Sequence, residues 1–283
     1  MKVAEALRDA TKRLEGVSDT ARLDAELLLA EALGTSRSEL LLRHMDNPVP
    51  PDFEALVARR LRHEPVAYIL GRQEFFGREF LVTPDVLIPR ADSETTVAAA
   101  LQACPSPGRV LDCGTGSGAL LLTLLAECPA AEGIGIDRSL GALAVASANA
   151  AKLGLARRTR MLARNWREPG WSEGIGRFDL VIANPPYVEA NAELSPSVRH
   201  FEPAGALFSG KDGLDDYRIL VPQLPSLLAE NGLAVLEIGA EQAEKVEEIA
   251  RLTGFSAELC KDLAARPRAL VLRLGLGKSE SAR

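Results

Sequence analysis

The sequence predicts an α/β protein in which a doubly wound, mostly parallel seven-stranded sheet follows a small N-terminal helical bundle and a β-hairpin connector. Three observations predict it. Apolar residues keep helical spacing through residues 1–73, and aromatic and β-branched residues then alternate around Gly77 between 74 and 90. From residue 109 onward, short apolar runs alternate with helical stretches to the end of the chain. Strands joined through helices run parallel, and such crossovers lay helices on both faces of one sheet.

In the bundle, Val3, Leu7, Ala10 and Leu14 share one helix face, and "RLDAELLLAEAL" repeats the spacing. Ser36 and Glu39 have the separation of a capping box ahead of "LLLRH". Pro51 opens a further helix through "FEALVARRLRH", and Pro65 follows its end. The connector "EFFGREFLVTPDVLIP" reads as hairpin-like and is expected to couple the two parts rigidly. Strands are expected at "RVLDCG", "EGIGID", "RTRMLA", "FDLVIANPP", "LAVLEIG", "SAELCKD" and "ALVLRLG", with helices at 119–128, 139–153, near 216–230 and at 241–253. The domain division is therefore 1–73, 74–90 and 91–275, with a disordered tail at 276–283.

Composition narrows the function. A chain of 283 residues, 47% hydrophobic and 25% charged, suits one large soluble domain with a smaller one. No run approaches the ~18 apolar residues of a membrane span, and Met1 to Leu14 mixes charges with alanines, so a cytoplasmic protein is expected. Cys104, Cys113, Cys128 and Cys260 show no paired spacing, and with His44, His63 and His200 they suggest neither a disulfide framework nor a metal site. A net charge of −6 argues against a protein that chiefly grips duplex DNA by its phosphates. Arg157, Arg158, Arg160, Arg164 and Arg167 form a local basic run, read as solvated charge around a strand or as a phosphate-facing patch.

The first strand-to-helix turn reads "LDCGTGSGAL", with Gly114, Gly116 and Gly118 where a ligand backbone can approach and Thr115 and Ser117 between them. The N–H groups at the helix start supply donors. Asp137, ending the second strand, sits where either a dinucleotide fold or a nucleoside-binding relative of it places its ribose acid. Asp112 separates the two: its carboxylate would repel a pyrophosphate but suit the ammonium of a methionine moiety. That points to S-adenosyl-L-methionine.

Asn184-Pro185-Pro186-Tyr187 falls at the carboxyl end of the fourth strand, beside the crevice where open α/β sheets bind ligands. A residue before proline is held extended and proline has no N–H, so the carbonyls of Asn184 and Pro185 are left to accept from another group. An incoming NH₂ is that group. Two acceptors gripping its hydrogens aim the nitrogen lone pair at a methyl sulfonium, so that catalysis is mostly positioning. Tyr187 offers a flat face to a planar amide or base.

On these motifs the chain resembles the HemK/PrmC protein-glutamine N5-methyltransferases. The likeness runs through "EPVAYILGRQEFFGREFLVTPDVLIPR", the glycine turn, "FDLVIANPPYV", "VRHFEPAGALFSGKDGLDDYR", "LEIGAEQ" and "DLAARPRALVLR". It implies a Rossmann-like methyltransferase sheet in which Gly114 to Gly118 and Asp137 hold S-adenosylmethionine. It also implies that Trp166 lies against the adenine and that Asn184 to Tyr187 hold a glutamine side chain. The implied partners are class 1 peptide chain release factors, met by a monomer with no membrane and no stable nucleic-acid partner. Two positions depart from the family pattern: Ala91-Asp92-Ser93-Glu94 stands for Pro-Glu-Thr-Glu, and Asn165, able to accept from the adenine amine, stands for an acid.

His200 is read as an exposed loop residue, Cys113 as packing, and Trp171 as surface or loop packing. Glu237, at a strand end, either touches the site or caps the next helix. The alternative function is an exocyclic-amine nucleic-acid methyltransferase, since the same tetrapeptide suits adenine N6 chemistry. A cofactor-binding module without turnover is disfavoured by the intact tetrapeptide.

Overall fold

The computed structural model describes residues 1–275, so the tail expected to be disordered lies outside the described residues. The chain forms two compact units: Met1–Arg72 with Leu194–Glu202, and Gln73–Glu193 with the chain from Pro203 onward.

The first unit is built from α1 (Val3–Leu14), α2 (Ala21–Leu33), α3 (Arg37–Arg43), α4 (Phe53–Leu61) and α5 (Val66–Leu70). The expected faces are the ones buried: Val3, Leu7 and Leu14 meet Leu28, Leu29, Leu40, Phe53 and Val57 in one apolar core. The capping box forms, with Ser36 Oγ accepting from Glu39 N at 3.2 Å and Glu39 Oε2 accepting from Ser36 N at 3.4 Å. Inside this unit the guanidinium of Arg60 donates to Asp24 at 2.7 Å, and the hydroxyls of Ser18 and Thr20 satisfy the rest of that carboxylate. A buried ion pair needs such extra partners to offset its lost hydration.

In the second unit, β1 (Arg72–Phe75) and β2 (Arg78–Leu81) make the hairpin, turned by Phe76 and Gly77 at φ 52° and 70°. Two consecutive positive φ values match the right-handed twist of the flanking strands. The hairpin is shorter than the expected connector, for residues 82–90 leave the ladder and run irregularly. Then follow α6 (Asp92–Ala103), β3 (Arg109–Cys113), α7 (Ala119–Glu127), β4 (Glu132–Asp137), α8 (Leu140–Lys152), β5 (Thr159–Ala163) and β6 (Phe178–Ala183). The chain continues through α9 (Pro196–Phe201), which groups with the helical unit, α10 (Ala204–Leu207), α11 (Asp215–Leu220) and α12 (Leu224–Leu227). It ends with β7 (Leu228–Glu237), α13 (Ala243–Leu252), β8 (Phe255–Lys261) and β9 (Pro267–Leu274).

The seven strands lie in the order β5-β4-β3-β6-β7-β9-β8, parallel except that β9 runs against β7 and β8. The chain winds from β3 outward through β4 and β5, then restarts on the other side at β6. The crevice above the ends of β3 and β6 is thus the topological switch point.

Two elements depart from the sequence reading. The helix expected near 216–230 is broken into α11, a 3₁₀ turn at Val221–Gln223 and α12, and β7 already begins at Leu228. Pro222 and Pro225 cause this, since neither has an N–H to continue a helix ladder. Helix α6 was not expected, because its inward face, Ser93, Thr96, Val97 and Ala100, mixes hydroxyls with small residues and carries little apolar periodicity.

The hairpin is tied to the glycine turn by one buried side chain. Asn149 of α8 accepts from Leu81 N at 2.7 Å and donates to Leu81 O at 3.0 Å and Ser117 O at 2.9 Å. All three partners are backbone groups that lose their bond if the amide is removed. Asn149→Ala should therefore lower stability by about 2–3 kcal/mol, the cost of unpaired buried polar groups. Urea unfolding checks this: the midpoint should fall with an unchanged slope, and an unmoved midpoint would contradict it.

Candidate active site

The glycine turn adopts the backbone that its residues were expected to permit. Gly114, Gly116 and Gly118 have φ of 78°, 53° and 82°, a region that residues with a Cβ rarely enter. Space is limiting as well as conformation. A Cβ on Gly114 would lie 3.1 Å from the ring of Trp166, so the indole packs directly over this backbone. Asp137 closes the turn from β4: its Oδ2 accepts from Gly116 N at 3.0 Å and its Oδ1 from Ser139 N at 2.9 Å.

Above the turn lies a cavity of about 290 Å³, near the small end of the range for ligand sites. Gly114, Thr115, Gly116, Ser117, Asp137, Asn165 and Trp166 line it, together with Asn184 and Pro186. A second, smaller cavity of about 130 Å³ is lined by Asn184, Tyr187, Val188 and Leu207. Leu87, Arg90, Asn184 and Ala206 border both spaces. Asn184 therefore stands where the two cavities meet.

At 184–187 the chain leaves β6 as expected. The Asn184 side chain is held by its Nδ2, which donates to Ser93 Oγ at 3.4 Å. Pro185 lines neither cavity, while Pro186 borders the larger one. Tyr187 packs against the core; its carbonyl accepts from Gln242 Nε2 at 3.0 Å, and burial pushes its phenol up to about 12. The loop that follows approaches so closely that a Cβ on Gly213 would fall 2.3 Å from the Tyr187 carbonyl.

Asp112 departs from its expected place. It is fully buried and does not line the cavity; its Oδ2 accepts from Thr115 Oγ1 at 2.7 Å, and its Oδ1 has no partner. It braces the turn from within. Asn165 lines the cavity, and its Oδ1 accepts from Arg167 N at 3.1 Å, closing a local turn. His200 is part of α9 rather than of an irregular loop, and Cys113 is buried packing. Trp171 lies in the core, not at the surface: its Nε1 donates to Gln223 Oε1 at 2.5 Å. Of the basic run, Arg158 is consumed internally by the carbonyls of Leu125, Cys128 and Ala131, whereas Arg164 and Arg167 reach the cavity rim.

Sequence reasoning missed the residues that hold these groups. Asp216 accepts from Trp166 Nε1 at 3.0 Å, from Ser209 Oγ at 2.7 Å and from Arg167 at 2.9 Å, which fixes the plane of the indole. Gln223 donates to the Trp166 carbonyl at 3.1 Å. Ser93 and the buried carboxyl of Glu237 lie behind Asn184, and Glu237 does not cap α13, which starts six residues later. Spacing carries no sign of these contacts, since most of them join segments far apart in the chain, as Asp216 to Trp166 and Asn184 to Ser93 do.

A sheet of this order, with a glycine turn closed by an acid and Asn-Pro-Pro-Tyr at the next strand end, defines a methyltransferase. The comparisons agree: the methyltransferase small domain family matches residues 91–208, and the PrmC N-terminal domain family matches residues 5–71. A methyltransferase from Pyrococcus furiosus shares the fold, with a TM-score of 0.53 at 18% identity over 77% of this chain and 98% of its own. The release factor glutamine methyltransferase of Cereibacter sphaeroides is 43% identical over 97% of this chain and 99% of its own length. That of Geobacter sulfurreducens is 44% identical over 84% of each. The chain belongs to the release factor glutamine methyltransferase family, and membership implies use of S-adenosylmethionine. Among the described residues no helix is long and apolar enough to cross a membrane.

Burial carries the Asp112 carboxyl up from 3.8 to about 7; the Thr115 hydroxyl opposes this, and the nearby Asp137 adds to it. An unfolded aspartate titrates near ~3.9, so the folded state prefers the neutral acid. The stability this contributes is present below the unfolded value and is lost as pH rises through about 7. Asp112→Asn has no such titration. Its stability relative to the natural chain should rise between roughly pH 4 and pH 7.5, measured by urea unfolding across that window. A difference that stays constant with pH would contradict the assignment.

Proposed function

We propose that this chain transfers a methyl group from S-adenosyl-L-methionine to the side-chain amide nitrogen of the glutamine in the Gly-Gly-Gln loop of class 1 release factors. The observation that carries the reading is the meeting of the two cavities at Asn184. One space suits a nucleoside, the other a narrow planar side chain.

The residues of the larger cavity fit the cofactor. The Trp166 indole, which borders the cavity beside the glycine turn, offers a flat face that suits adenine, and Asp137 suits ribose hydroxyls. The cofactor, when bound, supplies an electrophilic methyl group on a sulfonium. The protein's own task is to make a poor nucleophile act. A glutamine amide delocalises its nitrogen lone pair into the carbonyl. Asn184 Oδ1, taking the part expected of that residue's backbone carbonyl, and the Pro185 carbonyl, at the peptide leading into Pro186, accept the two N–H bonds and leave the lone pair aimed at the methyl group. As the N–C bond forms and the methyl C–S bond breaks, its electron pair returning to sulfur and leaving S-adenosylhomocysteine, the nitrogen becomes tetrahedral and strongly acidic, and it releases one proton to water. Tyr187 confines the amide plane and, with its phenol protonated, adds no charge of its own.

The helical unit, residues 1–73, is the part we assign to recognition of the folded factor. Remote contacts of that kind orient a reacting group without touching it. The glycines flanking the glutamine let a protruding loop enter a narrow pocket without side-chain clashes. Acting as a monomer on such a partner, the enzyme works in the cytosol.

Transfer of labelled methyl from S-adenosylmethionine tests the reading on purified release factor, its Gln→Ala variant, a free Gly-Gly-Gln peptide, and duplex and single-stranded DNA. Label should enter the whole factor, not its variant or DNA, and enter the peptide far more slowly. Asn184→Ala should abolish transfer yet keep most cofactor affinity by calorimetry. Label on DNA with none on the factor would replace this reading with the nucleic-acid one, and full activity in Asn184→Ala would overturn the mechanism.

A further inference from the structure

Behind Asn184 lies a buried polar chain that the transfer chemistry leaves unexplained. Ser93, in the first turn of α6, accepts from Asn184 Nδ2 at 3.4 Å. The same hydroxyl is hydrogen-bonded to the carboxyl of Glu237, the last residue of β7, which also accepts from Thr96 Oγ1 at 3.3 Å. Ser93 and Glu237 are 4% and 2% exposed, and Thr96 is fully buried. The Tyr217 hydroxyl donates to the Glu237 backbone carbonyl at 2.8 Å, which pins the strand end. A buried carboxyl is costly unless its position is used.

We infer that Glu237 is a positioning residue for methyl transfer: acting through the Ser93 hydroxyl, its carboxylate fixes which end of the Asn184 side-chain amide faces the substrate. The inference rests on the reading of Asn184 as acceptor for the glutamine amide.

Donor and acceptor counting gives the direction. An ionised carboxylate only accepts, so Ser93 must spend its single hydrogen on Glu237. The Ser93 oxygen then offers Asn184 lone pairs alone. Only Nδ2 can face it, and Oδ1 is turned toward the cavities, where an incoming NH₂ needs an acceptor. A protonated Glu237 can donate to Ser93 instead. The Ser93 hydrogen is then free to meet Oδ1, the Asn184 amide can reverse, and its own NH₂ would confront that of the substrate.

The surroundings place this change within reach of ordinary conditions. Burial lifts the Glu237 carboxyl from 4.5 to about 7, opposed by the Ser93 and Thr96 hydroxyls. Of the charged groups around it, Asp92 of α6 raises it further and Arg268 of β9 lowers it. Arg268 is shared between Asp92 at 2.7 Å and Asp262 at 3.0 Å, so its charge is largely spent on them. The phenols of Tyr187 and Tyr217, also nearby, are held protonated by burial. Glu237 is charged above about pH 7 and neutral below it, so transfer should decline as pH falls through that value.

The test is steady-state methyl transfer to whole release factor across roughly pH 5.5 to 9, with cofactor affinity measured by calorimetry at each end. For Glu237→Gln the expected result is a kcat about tenfold lower at high pH, with KM for the factor and cofactor affinity within about twofold. The acid limb near pH 7 should disappear. Ser93→Ala should lose the same limb with Glu237 still in place, and its cofactor affinity reports that it folds. Asp112 also titrates near 7, and persistence of the limb in Asp112→Asn assigns it to Glu237. Wild-type kcat and an unchanged acid limb in Glu237→Gln, beside an inactive Asn184→Ala, would overturn this inference alone. So would a loss of cofactor affinity in Glu237→Gln as large as the loss of kcat, the mark of a merely structural carboxyl. Transfer retained by Asn184→Ala would instead remove the reading on which the inference rests.

Discussion

The orientation of one amide side chain is the constraint on which the site depends. Asn184 stands at the end of β6, where a cavity of about 290 Å³ meets one of about 130 Å³. Transfer to an amide nitrogen requires that its hydrogens be gripped and its lone pair aimed, so an acceptor only slightly misplaced loses the advantage of binding both reactants. The fold secures Asn184 twice. The parallel pairing of Ala183 with Cys113 and Leu236 fixes where the strand ends, and Ser93 of α6 fixes the amide itself.

The cofactor side is organised by the same logic of indirect support. The glycine turn can come close to a ligand only because side chains are absent from it, so its rigidity must be supplied by neighbours. Asp112 braces it through Thr115, Asp137 closes it at Gly116, and Asn149 ties Ser117 to the hairpin. Trp166, which covers Gly114, is fixed by Asp216 at its ring nitrogen and by Gln223 at its carbonyl.

Much of this was legible in the chain itself. Alternating apolar runs and helical stretches gave the doubly wound sheet, because buried parallel strands must be continuously apolar. Two prolines after an asparagine mark the proposed acceptor site, since proline's missing N–H is a covalent fact that tertiary structure cannot alter. The place of Asp112 was not legible. Val110 to Cys113 are all buried, so β3 shows no in-and-out alternation to tell which face its carboxylate takes. Helix α6 and the roles of Ser93 and Asp216 were hidden for a related reason, and Glu237 was legible only as a strand-end acid that could touch the site. Those roles arise from hydrogen bonds such as Ser93 to Asn184, 91 positions apart, for which local patterning carries no signal.

A crystal structure of the enzyme with S-adenosylhomocysteine and a release factor tests the central claim most directly. The account predicts the glutamine amide nitrogen in the smaller cavity, within about 2.7–3.2 Å of Asn184 Oδ1, with Asn184 Nδ2 still turned to Ser93. A glutamine amide lodged elsewhere, or one that meets Asn184 through its carbonyl oxygen rather than its nitrogen, would contradict it.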